Sequence, residues 1–142
     1  MAEIVVSIFK NATSPDKPYN VTIPVIVDRI RTGKSKFQIN MIQSCLDTKQ
    51  KKILKAQLPS ICFSGTFSRH ENKALINHSG LVAIDFDHLG DKYDSLRERV
   101  INDLYTFLAF RSPSGDGMKV VVKIPPSITT HRMSCLALAD YY

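Results

Sequence analysis

Tryptophan is absent from these 142 residues, and cysteine is scarce at three copies. Cys45, Cys62 and Cys135 are odd in number and far apart. They have neither the density of a disulfide scaffold nor the close pairing of a zinc site, so reduced thiols in a cytoplasmic protein are expected. Long hydrophobic runs are missing too. No apolar stretch approaches the roughly 20 residues that span a bilayer, so no membrane association is expected. The opening MAEIVVSIFK lacks a basic leader and a small-residue cleavage pattern, which argues against a secretory signal. Negative charge is in short supply, with 13 Asp/Glu against 19 Lys/Arg and a formal net charge of +6. At 44% apolar the chain is too hydrophobic for a disordered class. Its length suits a single domain over residues 1–142, burying roughly 68% of the surface of the unfolded chain.

What is present is unevenly placed. Residues 28–73 hold ten Lys/Arg against three Asp/Glu, a surplus of +7, whereas residues 74–110 hold three against six, a balance of −3. A basic half beside an acidic one suits a protein that attracts a polyanion and needs cations at its chemical centre. A solvated lysine-rich helix explains the first feature equally well.

The acidic centre is residues 79–87, SGLVAIDFD. Leu81, Val82, Ala83 and Ile84 have the apolar continuity of a buried central strand, and Gly80 ahead of them suits a turn. Side chains two apart on a strand share a face, so Asp85 and Asp87 would project together at its end with Phe86 opposite. Such a pair can hold Mg²⁺ or Mn²⁺ and present it to a phosphate. Asp-x-Asp also occurs as a simple strand-end turn. A second candidate lies in residues 111–119, RSPSGDGMK. Ser112, Ser114, Gly115 and Gly117 bring hydroxyls and backbone amides to a turn able to wrap an anion, and Lys119 adds a point charge. The competing reading is a plain hairpin turn with Asp116-Gly117 at its tip.

The remaining pattern reads as follows. Residues 3–10 and 119–124 are strands, and 61–67 is a strand interrupted by a glycine turn. A short helix begins after Thr22, with Pro24 in its first turn, and stops at Gly33. Residues 35–58 are helical with a polar break at Asp47-Thr48, and Phe37, Met41, Cys45 and Leu46 form the apolar face. Residues 69–77 are a polar connection. Ser95 and Glu98 form a capping box for a helix carrying Leu96, Val100, Ile101, Leu104 and Leu108. A strand over 106–110 follows, and a final helix is capped by Thr129 or Thr130. Four or five strands with three or four helices, in mixed hairpin and β-α-β connections, give a two-layer α+β domain.

The series LPSICFSGTF (58–67), HSGLVAIDFD (78–87), FRSPSGDGMKVVVKIP (110–125), His131 and LADYY (138–142) resembles the N-terminal domain of virulence-associated-E-type (VirE-like) helicase proteins of Bacteroides-type bacteria and their mobile elements. That family looks like a primase-polymerase-like branch of the archaeo-eukaryotic primase superfamily. The resemblance implies an RNA-recognition-like mixed sheet and metal-dependent nucleotidyl transfer on a DNA template. It also implies a nucleoside triphosphate as substrate with Mg or Mn, single-stranded or primed DNA as partner, and a helicase domain or protein downstream. By motif, Asp85 and Asp87 take the place of the metal-binding acidic pair. Residues 114–119 take that of the serine- and glycine-rich triphosphate turn, with Lys119 where relatives in the superfamily carry histidine. A third acidic motif is expected beyond the last helix, so the chain reads as a partial domain; Asp140 is expected to be a surface residue. Arg29, Arg31, Lys49, Lys51, Lys52 and Lys55 are the candidate track for the nucleic-acid backbone. The alternatives are a non-catalytic module binding single-stranded nucleic acid beside a helicase, and an unrelated metal-dependent hydrolase or nuclease.

Overall fold

The apolar opening of the chain becomes strand β1 (Val5–Phe9) in a computed structural model that describes residues 3–14, 16–125, 133–134, 137–138 and 141–142. The chain divides into two compact units, Met1–Ser79 and Gly80–Tyr142. In the first, β1 is flanked by β2 (Tyr19–Thr22) and β3 (Ser60–Cys62), both antiparallel to it. Val6 and Phe9 are almost fully buried, each contributing about 1.5–3 kcal/mol over an exposed position. Ser7 is buried as well and stays satisfied: its Oγ donates to Asn20 Oδ1 at 2.8 Å and accepts from the Phe67 amide at 2.9 Å.

Helix α1 (Ile23–Arg31) starts after Thr22 with Pro24 in its first turn, as the sequence predicts, and Gly33 follows its end at φ +69°. Thr22 makes no side-chain cap bond; Ile23 and Ile26 anchor the helix by burial. Residues 35–58 resolve into α2 (Lys36–Ser44) and α3 (Thr48–Ala56). The break is enforced by Asp47, whose carboxylate accepts from the Lys49 and Gln50 amides at 2.8 and 3.1 Å and so starts a new helix. The apolar face expected from Phe37, Met41, Cys45 and Leu46 is not the core face. Phe37 is 78% and Leu46 98% exposed, whereas Ile42, a third of a turn further round, is fully buried.

Residues 61–67 form parts of two sheets rather than one interrupted strand. After β3 the chain turns at Phe63-Ser64 into β4 (Gly65–Phe67), which pairs antiparallel with β5 (Leu75–His78). The expected polar connection over 69–77 therefore contains a strand. Gly65 is required there, because a Cβ would collide with the Asn77 carbonyl and Leu75.

In the second unit the sheet order is β6 (Leu81–Phe86), β8 (Met118–Lys123), β7 (Thr106–Arg111). Helix α4 (Tyr93–Ile101) connects β6 to β7 and packs Leu96 and Val100 against Val82, Met118, Val120 and Val122. The fold class is α+β. The mixed sheet expected for the core is not seen: all strand pairs among the described residues are antiparallel. The reason is the insertion of β8 between β6 and β7, which run parallel without pairing. It also makes β6 an edge strand of this sheet, where the sequence suggests a central one. The Ser95–Glu98 capping box does not form. A 3₁₀ turn over Gly90–Lys92 leads directly into α4, so Ser95 is already its third residue. Ile101 and Leu104 are exposed at and beyond the helix end.

Met133, Ser134, Ala137, Leu138 and Tyr141 are helical, in keeping with a final helix. Its expected caps Thr129 and Thr130, together with His131, Cys135 and Asp140, lie outside the described residues. Cys45 and Cys62 are in no disulfide. No helix among the described residues is long and apolar enough to cross a membrane.

Candidate functional site

Asp85 is the fifth residue of β6 and faces Lys119 across the ladder to β8. Their charges meet, with Lys119 Nζ 3.4 Å from Asp85 Oδ1. Both remain within reach of solvent, at 60% side-chain exposure for Asp85 and 32% for Lys119. The next side chain, Phe86, packs on the cluster beneath α4, so alternation sends Asp85 and Lys119 to the other face of the sheet. Asp87 lies one residue past the strand and is exposed.

Residues 112–117, the β7–β8 turn, sit against the same strand end. The Leu89 amide donates to the Asp116 carbonyl at 2.8 Å, and His88 Nδ1 is 3.6 Å from Asp116 Oδ2. His88 itself adopts φ +53°, which bends the chain after Asp87. Gly117 is pressed so closely that a Cβ would lie 2.7 Å from the Phe86 carbonyl and 2.7 Å from Ser112 Oγ. Asp85, Asp87, Lys119 and the serine-glycine turn are thus gathered at one end of the β6–β8 pair.

The turn is more self-contained than an open anion cradle. Ser112 donates its amide to the Gly117 carbonyl at 2.9 Å, and Gly115 donates to the Ser112 carbonyl at 3.0 Å. Gly117 donates to Ser112 Oγ at 3.1 Å, Ser112 and Ser114 join their hydroxyls at 3.1 Å, and Ser114 Oγ donates to Asp116 Oδ1 at 2.8 Å. With those three amides engaged, Lys119 is the group at this end best able to meet a phosphate. Among the described residues no three of His, Cys, Asp and Glu cluster closely enough to hold a metal by themselves.

The basic residues belong to the first unit. Arg31, Lys49, Lys52 and Lys55 are exposed, Arg29 and Lys51 half-buried, and α3 buries none of its side chains. Two concave places escape the sequence reading. One, of about 410 Å³, is lined by Cys62, Ser64, Phe67, His70 and Glu71, with the His70 ring stacked on Phe9 at 4.3 Å. The other gathers Lys10, Lys17, Tyr19 and Arg29. Of its lining only Arg29 figures in the sequence reading, as a candidate for the nucleic-acid track; Lys10, Lys17 and Tyr19 do not.

No curated protein and no solved structure matches the chain. A protein-family model does, that of the BT4734-like, N-terminal domain, over residues 53–139. The match takes in Asp85, Asp87, the 112–117 turn and Lys119, and spans more than half of the sequence. This chain belongs to the BT4734-like N-terminal domain family.

Proposed function

We propose that this chain is a nucleotide- and DNA-binding domain of the primase-polymerase type found ahead of VirE-like helicases, working in the cytoplasm on a DNA strand. The observation that carries the reading is the meeting of Asp85 and Lys119 across β6 and β8, with Asp87 and the 112–117 turn at the same strand end. Phosphoryl transfer depends mostly on positioning and charge stabilisation, so a carboxylate pair beside an ammonium supplies its minimum equipment.

Two carboxylates suit Mg²⁺ or Mn²⁺, which keep several waters and complete their shells with substrate phosphates. Asp85 and Asp87 would hold the ion, and its chemistry there is neutralisation of the triphosphate's charge. Lys119 is paired with Asp85. With Asp85 on the ion, the Lys119 ammonium would be the group that holds the β and γ phosphates. Ser112 and Ser114 place hydroxyls at the rim of the same turn.

A second reading, a non-catalytic module for single-stranded nucleic acid, is favoured by one specific feature. Lys119 already neutralises Asp85, and no third acidic group closes a cage among the described residues. Calorimetry on variants separates the two. On the first reading, Asp85→Ala and Asp87→Ala abolish the metal dependence of triphosphate binding. Lys119→Ala weakens triphosphate more than monophosphate, by about 1.5–3 kcal/mol for a lost charge-assisted contact. Triphosphate affinities identical in all three variants and the wild type would leave the binding module standing.

A further inference from the structure

The β1–β2 connection and α1 line a cleft that the carboxylate site does not use. Its volume is about 510 Å³, within the roughly 300–1,000 Å³ of small-molecule sites. Strand pairing explains its position. Ile8 lies opposite Tyr19 and Phe9 opposite Ser60, so the end of β1, the start of β2 and Pro59 ahead of β3 meet there. Three cations line it: Lys10 directly after β1, Lys17 two residues before β2, and Arg29 in the last turn of α1. Asp16 is the single carboxylate in the lining, which leaves a surplus of two positive charges. Among the described residues none of these cations has an ion-pair partner.

Clustered like charges repel, and an anion relieves them. The same cleft presents Tyr19, a residue that folding leaves 76% exposed. An inorganic anion would answer the cations and leave this ring without a role. A nucleotide answers both, with its phosphate on the cations and its base on the tyrosine face. We propose that this cleft binds one phosphate-bearing nucleotide unit, contributed by a single-stranded nucleic acid or by a free nucleotide. The proposal draws on the strand-binding side of the function above and uses neither the carboxylates nor a metal.

The test uses the full chain in EDTA, which silences any metal-dependent site. Binding of a labelled oligothymidylate is followed by fluorescence anisotropy, with thymidine monophosphate as competitor. Lys17→Ala and Arg29→Ala are each expected to weaken binding about tenfold. Tyr19→Ala is expected to weaken it by about fivefold or more, and Tyr19→Phe, which keeps the ring, to bind like wild type. Lys73→Ala, at an exposed lysine elsewhere on the chain, should change little. Competition by the monophosphate, lost in the same variants, identifies a free nucleotide as a sufficient ligand; oligonucleotide binding without that competition identifies the strand. The proposal is overturned if neither ligand binds, if Lys17→Ala and Arg29→Ala match Lys73→Ala, or if Tyr19→Ala binds like wild type. An oligonucleotide that binds but ignores the cleft variants removes the cleft alone and leaves strand binding in place. Loss of metal-dependent triphosphate binding would leave this cleft untouched.

Discussion

Tyr141 donates its hydroxyl to Asp103 Oδ2 at 2.6 Å, and the two groups shift each other. The hydrogen bond raises the Tyr141 pKa to about 12, with smaller contributions from burial and the aspartate's charge. It is also the main cause holding Asp103 below the usual carboxylate value, helped by the Tyr105 amide at 2.8 Å. Tyr142 is pushed up chiefly by burial. The signs fix the pH window. A tyrosine whose folded value exceeds the unfolded value of about 10 stabilises the fold fully below that pH. That stabilisation is lost as pH rises through the folded value. Asp103 behaves oppositely, contributing above its unfolded value near 4 and failing as pH falls through its lowered one. By NMR, Tyr141 should still be largely protonated at about pH 11, one unit above the usual tyrosine range. Asp103→Asn should return it towards about 10. A Tyr141 that ionises at about pH 10 in the wild-type chain would show that the contact does not persist in solution.

At the scale of elements, Ser7 ties three strands together through one hydroxyl, bonding Asn20 of β2 and the Phe67 amide of β4. Ser7→Ala leaves that buried amide without an acceptor and should cost about 1–3 kcal/mol. Ser95→Ala, at an exposed residue of α4, should stay within about 0.5 kcal/mol. Urea denaturation of both variants checks the difference, and equal midpoints would remove Ser7 from its linking role. Strands with their own apolar signal were legible in sequence: β1, β6 and β8, and also β7 after its helix. Strand β5 was not. Leu75, Ile76, Asn77 and His78 include two exposed residues, and the segment is held by pairing with β4 across a glycine that admits close approach. The core face of α2 was misread because Phe37, Met41 and Leu46 outnumber Ile42, and periodicity cannot say which apolar stripe finds a partner. In the site, the apolar run over Leu81–Ile84 placed Asp85 on a strand, and the Asp116-Gly117 signal placed the turn. The register that sets Lys119 opposite Asp85 depends on β8 entering between β6 and β7. No local pattern encodes that order.

Across the whole molecule the charge division persists in the structure, since Arg29, Arg31 and the α3 lysines lie in one unit and Asp85 and Asp87 in the other. The BT4734-like match begins at residue 53, inside α3, and includes the entire carboxylate end. It leaves out Lys10, Lys17, Tyr19 and Arg29, so the proposed nucleotide cleft and the carboxylate site stand on separate parts of the chain. The central claim is that this carboxylate end receives a nucleoside triphosphate through a divalent ion. A triphosphate brings about four negative charges, and two aspartates repel it unless a cation intervenes. The most direct measurement is calorimetric titration of the wild-type chain with a non-hydrolysable nucleoside triphosphate, once in Mn²⁺ and once in EDTA. The account predicts saturable binding in Mn²⁺ that weakens at least about tenfold in EDTA, a difference of about 1.4 kcal/mol. Equal affinity under both conditions, or no binding under either, would contradict it.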